Sequence, residues 1–275
     1  MRCPAVAVTA RAAEKSPGCR IPGARVRIYT ADALMSSPSQ VRTEILEFLR
    51  QTDTCSVSNA IETFRVRMRN EGYIHNVARC LFPALPPVAG YAVTGRIRTS
   101  APPIANLCYY NRADWWRYVA SLPAPKIIVM EDVDRIPGTG ALFGEIHAQI
   151  ARSLGCVAYL SNGSVRDVGP LEKLGFPCFA GGVSVSHSYA HVIDFGEPVE
   201  IGGQRIAPGD LLHGDRHGVQ IIPSELGDRL KDAVAAIADR EAKLINLCRS
   251  PDFSIDKLEK MLGQDDGLCP PPERY

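Results

Sequence analysis

Apolar positions in the middle of the chain follow two alternating patterns. Lys126-Ile127-Ile128-Val129-Met130 and Cys156-Val157-Ala158-Tyr159-Leu160 are short, nearly continuous apolar runs. Runs without alternation read as strands buried on both faces. Between them, residues 142–154 carry Phe143, Ile146, Ile150 and Leu154 at helical spacing, with Gly155 suited to the C′ position. A turn is expected at Ser161-Asn162-Gly163. A short helix over Pro170 to Leu174 closes at Gly175, and Pro177-Cys178-Phe179-Ala180 reads as a third strand. Strand–helix–strand–helix–strand predicts parallel pairing with right-handed crossovers.

The flanks are less regular. Val41, Ile45, Leu46 and Leu49 predict one helix, and Ser56-Val57-Ser58 reads as the cap of a second. Pro83 to Pro87 reads as a linker. GYAVTGRIRT (residues 90–99) alternates like a strand. Residues Arg112 to Ser121 look helical and hold both tryptophans, which read as packing or subunit contact. His191 to Pro223 is a run of short strands broken by glycine turns. A long amphipathic helix is expected from Ser224 to Cys248, then a short one near Ile255 to Leu262.

Composition narrows the class. The chain has 275 residues and a net charge of +1, with 45% hydrophobic and 22% charged residues. That balance is ordinary for a globular domain and carries no basic signature of a nucleic-acid partner. No apolar run reaches bilayer length, so no membrane partner is expected. Nine cysteines without a C-x-x-C pair read as reduced thiols of a cytoplasmic protein. The first thirty residues hold six basic side chains and one acid and lack an apolar core. Residues 1–36 are therefore read as a poorly ordered extension, with an organellar transit peptide left open. Residues 37–250 form the expected domain and 251–275 a tail.

Chemistry concentrates between Gly138 and Asp167. Gly138, Gly140 and Gly144 keep the backbone open ahead of a helix, and N–H groups at a helix start bind anions. Glu145 falls in the first turn, and Arg166-Asp167 follows the next strand. Ligands of open α/β sheets bind at the carboxyl ends of strands, so these features should meet. Arginine offers a planar fork for a carboxylate, and aspartate a hard oxygen for Mg²⁺ or Mn²⁺. A dinucleotide site fits poorly, because the spacing is G-x-G-x-x-x-G. His187 with His191 and His213 with His217 are four apart, but read as loop and surface histidines. Asp210 and Asp215 read as turn residues.

Glu145, then twenty residues, then Arg166-Asp167 resembles the acid-x20-Arg-Asp signature of one family. These are the 4-hydroxy-4-methyl-2-oxoglutarate aldolases and the proteins similar to the regulator of ribonuclease activity A. GCVAYLSNGSVRD (155–167), GFPCFAGG (175–182) and PGDLLHGDRHGVQIIP (208–223) look like the same family, and Ser56 to Ile61 resembles its early helix. The resemblance spans about residues 40 to 245. It implies a compact layered α/β sandwich of swivelling-domain type, with a β-rich C-terminal section and a long C-terminal helix. It implies homotrimers or homohexamers, with sites near subunit interfaces.

It also implies roles. Asp167 is the direct metal ligand and Arg166 binds the pyruvyl carboxylate. Gly144, Glu145, Ile146 and His147 contribute backbone N–H groups and the acid. A divalent cation, Mg²⁺ or Mn²⁺, would act as Lewis acid on the enolate formed when a 2-oxo acid loses its C–C bond and pyruvate is released. Glu145 would relay a proton through water. Retro-aldol cleavage and oxaloacetate decarboxylation share that enolate. The alternatives are a lyase for a sugar-derived 2-oxo acid, and a non-catalytic regulator binding an RNA-degrading enzyme. The family usually reads Asp-Gly-x-x-Arg-Asp. Asn162 stands at the first position and Asn59 where Asp is common. Both departures bear on the substrate, not on the fold.

Overall fold

The computed structural model describes residues 43–103 and 112–263. The extension assigned to residues 1–36 lies outside them, as do the last residues of the tail. Within the described residues, seven α-helices and eleven strands follow in chain order. Helices α1 (Thr43–Gln51) and α2 (Thr54–Thr63) come first, then β1 (Arg79–Cys80), β2 (Val88–Arg98) and α3 (Arg112–Ser121). The centre is β3 (Lys126–Asp132), β4 (Ala141–Phe143), α4 (Glu145–Ser153), β5 (Cys156–Val165), α5 (Val168–Leu174) and β6 (Cys178–Val183). Then come β7 (His191–Phe195), β8 (Val199–Ile201), β9 (Gln204–Ile206), β10 (Leu211–Asp215) and β11 (Gly218–Ile222). A 3₁₀ segment, Ser224–Arg229, leads into α6 (Leu230–Arg249), and α7 (Ile255–Gly263) follows.

Nine strands form one mixed sheet in the order β1-β6-β5-β3-β2-β10-β11, with β4 added to β5 and β7 to β2. The centre is parallel: β2 with β3, β3 with β5, and β5 with β6. Strand β3 shows why. Ile128 and Met130 enter a core beneath α3, α4 and α5, while Ile127 and Val129 enter a second core closed by the β8–β9 hairpin. Burial on both faces removes the need for polar alternation. A third core joins α1, α2 and α6 to β10 and β11 through Leu49, Val57, Leu211, Ile222 and Ile237.

Buried polar groups fasten that third layer. Thr54 donates its N–H and its hydroxyl to Asp215 at 2.9 and 2.6 Å. Gln220 Nε2 donates to Thr54 O at 2.9 Å, and His213 Nε2 pairs with Leu49 O at 2.8 Å. His213 has no solvent exposure and Asp215 only 6%. His213 is thus a core residue of β10 and not a surface histidine, and Asp215 is a clamp and not a turn residue. The terminal groups of two helices need such partners when they are buried.

Several boundaries differ from the sequence expectation. The central helix starts at Glu145, because Ala141–Phe143 extends as β4 beside β5. Its buried residues are Ala148 and Ala151, and Ile146 is 74% exposed. No turn forms at Ser161-Asn162-Gly163. Strand β5 runs through to Val165, absorbing a register shift between Ser161 and Ser164. The cap of α2 is Asp53, whose carboxylate accepts the Ser56 N–H at 2.9 Å. Serine caps as well as aspartate does, but Ser56 and Ser58 lie inside the helix, past the position from which a side chain reaches the free N–H groups.

Candidate functional site

Strands β4 and β5 end side by side, and their chain continuations form the site. Arg166 N–H donates to Phe143 O at 3.0 Å, extending the ladder one residue past β5. Asp167 then turns into the left-handed region (φ 56°, ψ 43°) at the start of α5. A non-glycine residue in that region carries strain, which aspartate tolerates better than most. The turn brings the Asp167 carboxylate against the first residues of α4. Glu145 N–H donates to Oδ2 at 3.2 Å, and Arg166 Nε donates to Oδ1 at 3.1 Å.

Gly144 makes this approach possible. A Cβ there would lie 2.5 Å from Asp167 Oδ2 and 2.9 Å from Arg166 Cγ. Its φ of −153° is ordinary extended backbone, so the requirement is space and not conformation. Burial raises the Asp167 carboxyl, but the Glu145 N–H, the hydrogen bond and charge of Arg166, and the charge of His187 together hold it below the usual value. The site therefore presents an ionised carboxylate, about a third exposed, beside a guanidinium of similar exposure.

The residues singled out in the sequence divide here. Gly144, Glu145, Arg166 and Asp167 converge. Ile146 and His147 follow in the first turn of α4, where N–H groups lack helical acceptors. The His147 ring packs with Trp116 and Phe143, at centroid distances of 5.8 and 6.1 Å. The Glu145 side chain is exposed. Gly138 and Gly140 do not form an anion-binding loop. Gly138 donates its N–H to Asp132 Oδ2 at 2.8 Å and accepts the Ser164 hydroxyl at 2.9 Å. Gly140 lies against the chain at His187, where a Cβ would meet the His187 carbonyl oxygen at 2.4 Å.

Two further side chains join the segments that lead into the site. Asp132 is 2% exposed. Its carboxylate accepts from Gly138 N–H, Asp134 N–H at 3.1 Å and the Thr99 hydroxyl at 3.2 Å. Burial pushes it above the ordinary carboxylate value, and those hydrogen bonds reverse only part of the rise. Asn162 joins β5 to the end of β3, spending its amide on the Asp132 backbone and not on Arg166. His187, read from the sequence as a loop and surface histidine, is indeed exposed on a loop, yet its charge acts on Asp167. It is twenty positions beyond Asp167 on the β6–β7 connection, and only the fold returns it to the site.

Among the described residues, no group of three or more His, Cys, Asp or Glu side chains is arranged to hold a metal ion. A cation here would rest on one carboxylate and water. Magnesium tolerates that arrangement and zinc does not. Among the described residues, no helix is long and apolar enough to cross a membrane.

Comparison with known proteins agrees with this architecture. The family model described as RraA-like, Aldolase/RraA, matches residues 54–221. A Halalkalibacterium halodurans protein named "Putative 4-hydroxy-4-methyl-2-oxoglutarate aldolase" is 34% identical over 107 residues, covering 38% of this chain and 51% of that protein. Protein DlpA of Legionella pneumophila is 28% identical over 128 residues, covering 46% of this chain and 20% of its own length. The chain thus spans about half or less of these curated relatives. A Pseudomonas syringae protein structure superposes with a TM-score of 0.65 at 20% identity, covering 83% of this chain and 97% of that one. Streptomyces coelicolor RraAS2, described as an unusual member of the RNase ES inhibitor RraA family, superposes at 0.55 and 18% identity, covering 73% and 93%. The match over more than half of its length, on the fold and motif described, makes this chain a member of the RraA-like (Aldolase/RraA) family.

Proposed function

We propose that this protein is a carbon–carbon lyase acting on a 2-oxo acid and releasing pyruvate, by retro-aldol cleavage, oxaloacetate decarboxylation or both. One observation carries the reading: Asp167 receives Arg166 Nε on one oxygen and the Glu145 N–H on the other. A cationic fork, a helix start and an ionised carboxylate thereby share one surface. The terminal nitrogens of Arg166 would hold the pyruvyl carboxylate, and the first-turn N–H groups of α4 at Ile146 and His147 would add to the same field. The exposed Glu145 carboxylate would deliver a proton, through water, to the carbon left by the broken bond.

The donor set fits a hydrated hard cation, Mg²⁺ or Mn²⁺, with Asp167 as its one direct protein ligand and Glu145 reaching it through water. When bound, such an ion supplies Lewis acidity to the carboxylate and keto oxygens of the substrate. The family match and the name of the Halalkalibacterium relative support this class of chemistry.

Exposed apolar residues lie on the segments that carry or adjoin the site: Ile146 follows Glu145, and Val183 pairs with Val165 at the end of β5. Ile136 and Ile146 are each 74% exposed, Val183 57%, Val185 95% and Tyr189 54%. Exposed apolar residues grouped around a polar site favour burial by another protein surface. A homotrimer or hexamer would cover them and shield the site. The five described cysteines are all free, which supports a reducing, cytoplasmic setting.

The test is an assay for pyruvate release from 4-hydroxy-4-methyl-2-oxoglutarate and from oxaloacetate, with Mg²⁺ or Mn²⁺, before and after EDTA. Turnover that EDTA abolishes and either metal restores is the expected result. No turnover of either substrate at any metal concentration, together with a stoichiometric protein partner in a pull-down, would transfer the reading to a binding regulator.

A further inference from the structure

The β6–β7 connection is held at two places. Ala141 N–H donates to Ser186 O, and Tyr189 N–H donates to Thr99 O, at 2.9 and 3.0 Å. Between them, Ser188 takes a left-handed conformation (φ 48°) and Ala190 N–H closes a turn on His187 O at 3.0 Å. The His187 ring is anchored as well, with Nδ1 2.9 Å from Ala141 O. A carbonyl can only accept, so Nδ1 carries the proton in that contact and Nε2 is the basic nitrogen of the neutral ring. Nε2 has no partner among the described residues. The charge of His187 reaches Asp167 and helps hold its carboxyl down. Gly140 completes the arrangement, because any Cβ there would collide with the His187 backbone.

The connection leaves β6 beside the site, where Ser184 N–H donates to Val165 O at 2.9 Å, and these contacts fix an exposed imidazole there with its base nitrogen unspent. On the lyase reading above, on which this inference rests, we propose that His187 is a catalytic residue that accepts the proton of the substrate's 4-hydroxyl through Nε2. The O–H bond breaks as Nε2 takes the proton. The C3–C4 bond breaks while the C4–O bond becomes a carbonyl, and its electron pair passes to C3 and the 2-oxo group. C3 then receives a proton from water at Glu145, and His187 returns its proton to solvent. The substrate class is a 2-oxo acid with a hydroxyl at C4. Imidazole suits such transfer near neutral pH.

Oxaloacetate provides the control, because its decarboxylation has no hydroxyl proton to remove. In His187→Asn, whose amide nitrogen lies where Nδ1 does and so keeps a donor for Ala141 O, kcat for 4-hydroxy-4-methyl-2-oxoglutarate should fall about 100-fold or more. Oxaloacetate turnover should stay within about threefold. Equal loss on both substrates, or loss on neither, overturns the base role and leaves the lyase reading intact. Turnover of neither substrate by the unaltered chain fails the lyase reading, and the base role with it. A readout on the unaltered chain is independent of the variant's folding. In ¹⁵N-histidine-labelled full-length protein, the His187 Nε2 resonance should shift when the uncleavable C2-alcohol analogue of the substrate is added. An unmoved resonance at saturating analogue also overturns the proposal.

Discussion

The side-chain amide of Asn162 pairs with both backbone groups of Asp132. Asn162 Oδ1 accepts the Asp132 N–H at 2.7 Å, and Asn162 Nδ2 donates to the Asp132 carbonyl at 2.9 Å. The side chain thereby stands in for a ladder rung beyond Met130 and Ser161, the last paired residues of β3 and β5, where β5 shifts register against β6. It also sets the position of the Asp132 carboxylate, which in turn fixes Gly138. Asparagine suits this position because it has both a donor and an acceptor, whereas an ionised carboxylate only accepts.

Asn162→Asp should therefore destabilise the protein by about 1–3 kcal/mol, the cost of leaving a buried carbonyl unpaired against a new charge. Guanidinium unfolding at neutral pH measures this. Unchanged stability would show that the amide pair is not what joins the two strands.

Gly144→Ala separates site from fold. The new Cβ meets the side chains of Asp167 and Arg166 and not backbone, and alanine is at ease at φ −153°. The fold should survive within about 1 kcal/mol while the Asp167 carboxylate is displaced from Glu145 N–H. Pyruvate release should fall at least about 100-fold, as for a misplaced catalytic group. Equal activity in the variant would remove Asp167 from the proposed site.

Asp167→Ala should abolish the response of that activity to Mg²⁺ or Mn²⁺ and leave the thermal midpoint nearly unmoved, since the carboxylate is partly exposed. Retained metal-dependent turnover would argue against Asp167 as the ligand.

The clamp between β10 and α2 predicts a pH dependence. Burial raises the Asp215 carboxyl, but the Thr54 hydroxyl and N–H, the His217 N–H and the His217 charge together lower it below its ordinary value. A depressed folded value contributes stability that is present above the unfolded value. It is lost as pH falls through the folded value, below about pH 4. Asp215→Asn should cost about 2 kcal/mol at pH 7, and the difference from the unaltered protein should shrink at lower pH. Denaturant midpoints at pH 7 and pH 3 test the sign. A difference that grows toward pH 3 would contradict it.

Val185→Lys tests the exposed apolar residues. Val185 is 95% exposed, so the change should leave the folded protomer unaffected. If copies of the chain meet at these residues, a buried unpaired charge should dissociate them. Light scattering after size exclusion reports the mass. An oligomer of undiminished mass would place the contact elsewhere.

The central layout was readable from the chain because it depends on local pattern. Unbroken apolar runs at Lys126 and Cys156 required burial on both faces, and hence a parallel centre flanked by helices. The spacing from Glu145 to Asp167 was equally legible, since a helix and a strand of those lengths return the chain to the same sheet edge. The tertiary structure decided what depends on contacts distant in sequence. It turned Gly138 and Gly140 from an anion loop into packing sites for Asp132 and His187. It made Asn162 a strand clamp and His213 a buried anchor for Leu49. It also left Ile146 on the surface, although periodicity placed it inside. Periodicity reports which face of an element is apolar. It is silent on which polar group, arriving from another part of the chain, will satisfy a buried donor or share a cleft. Those pairings follow from strand order and register, which the folded sheet alone sets.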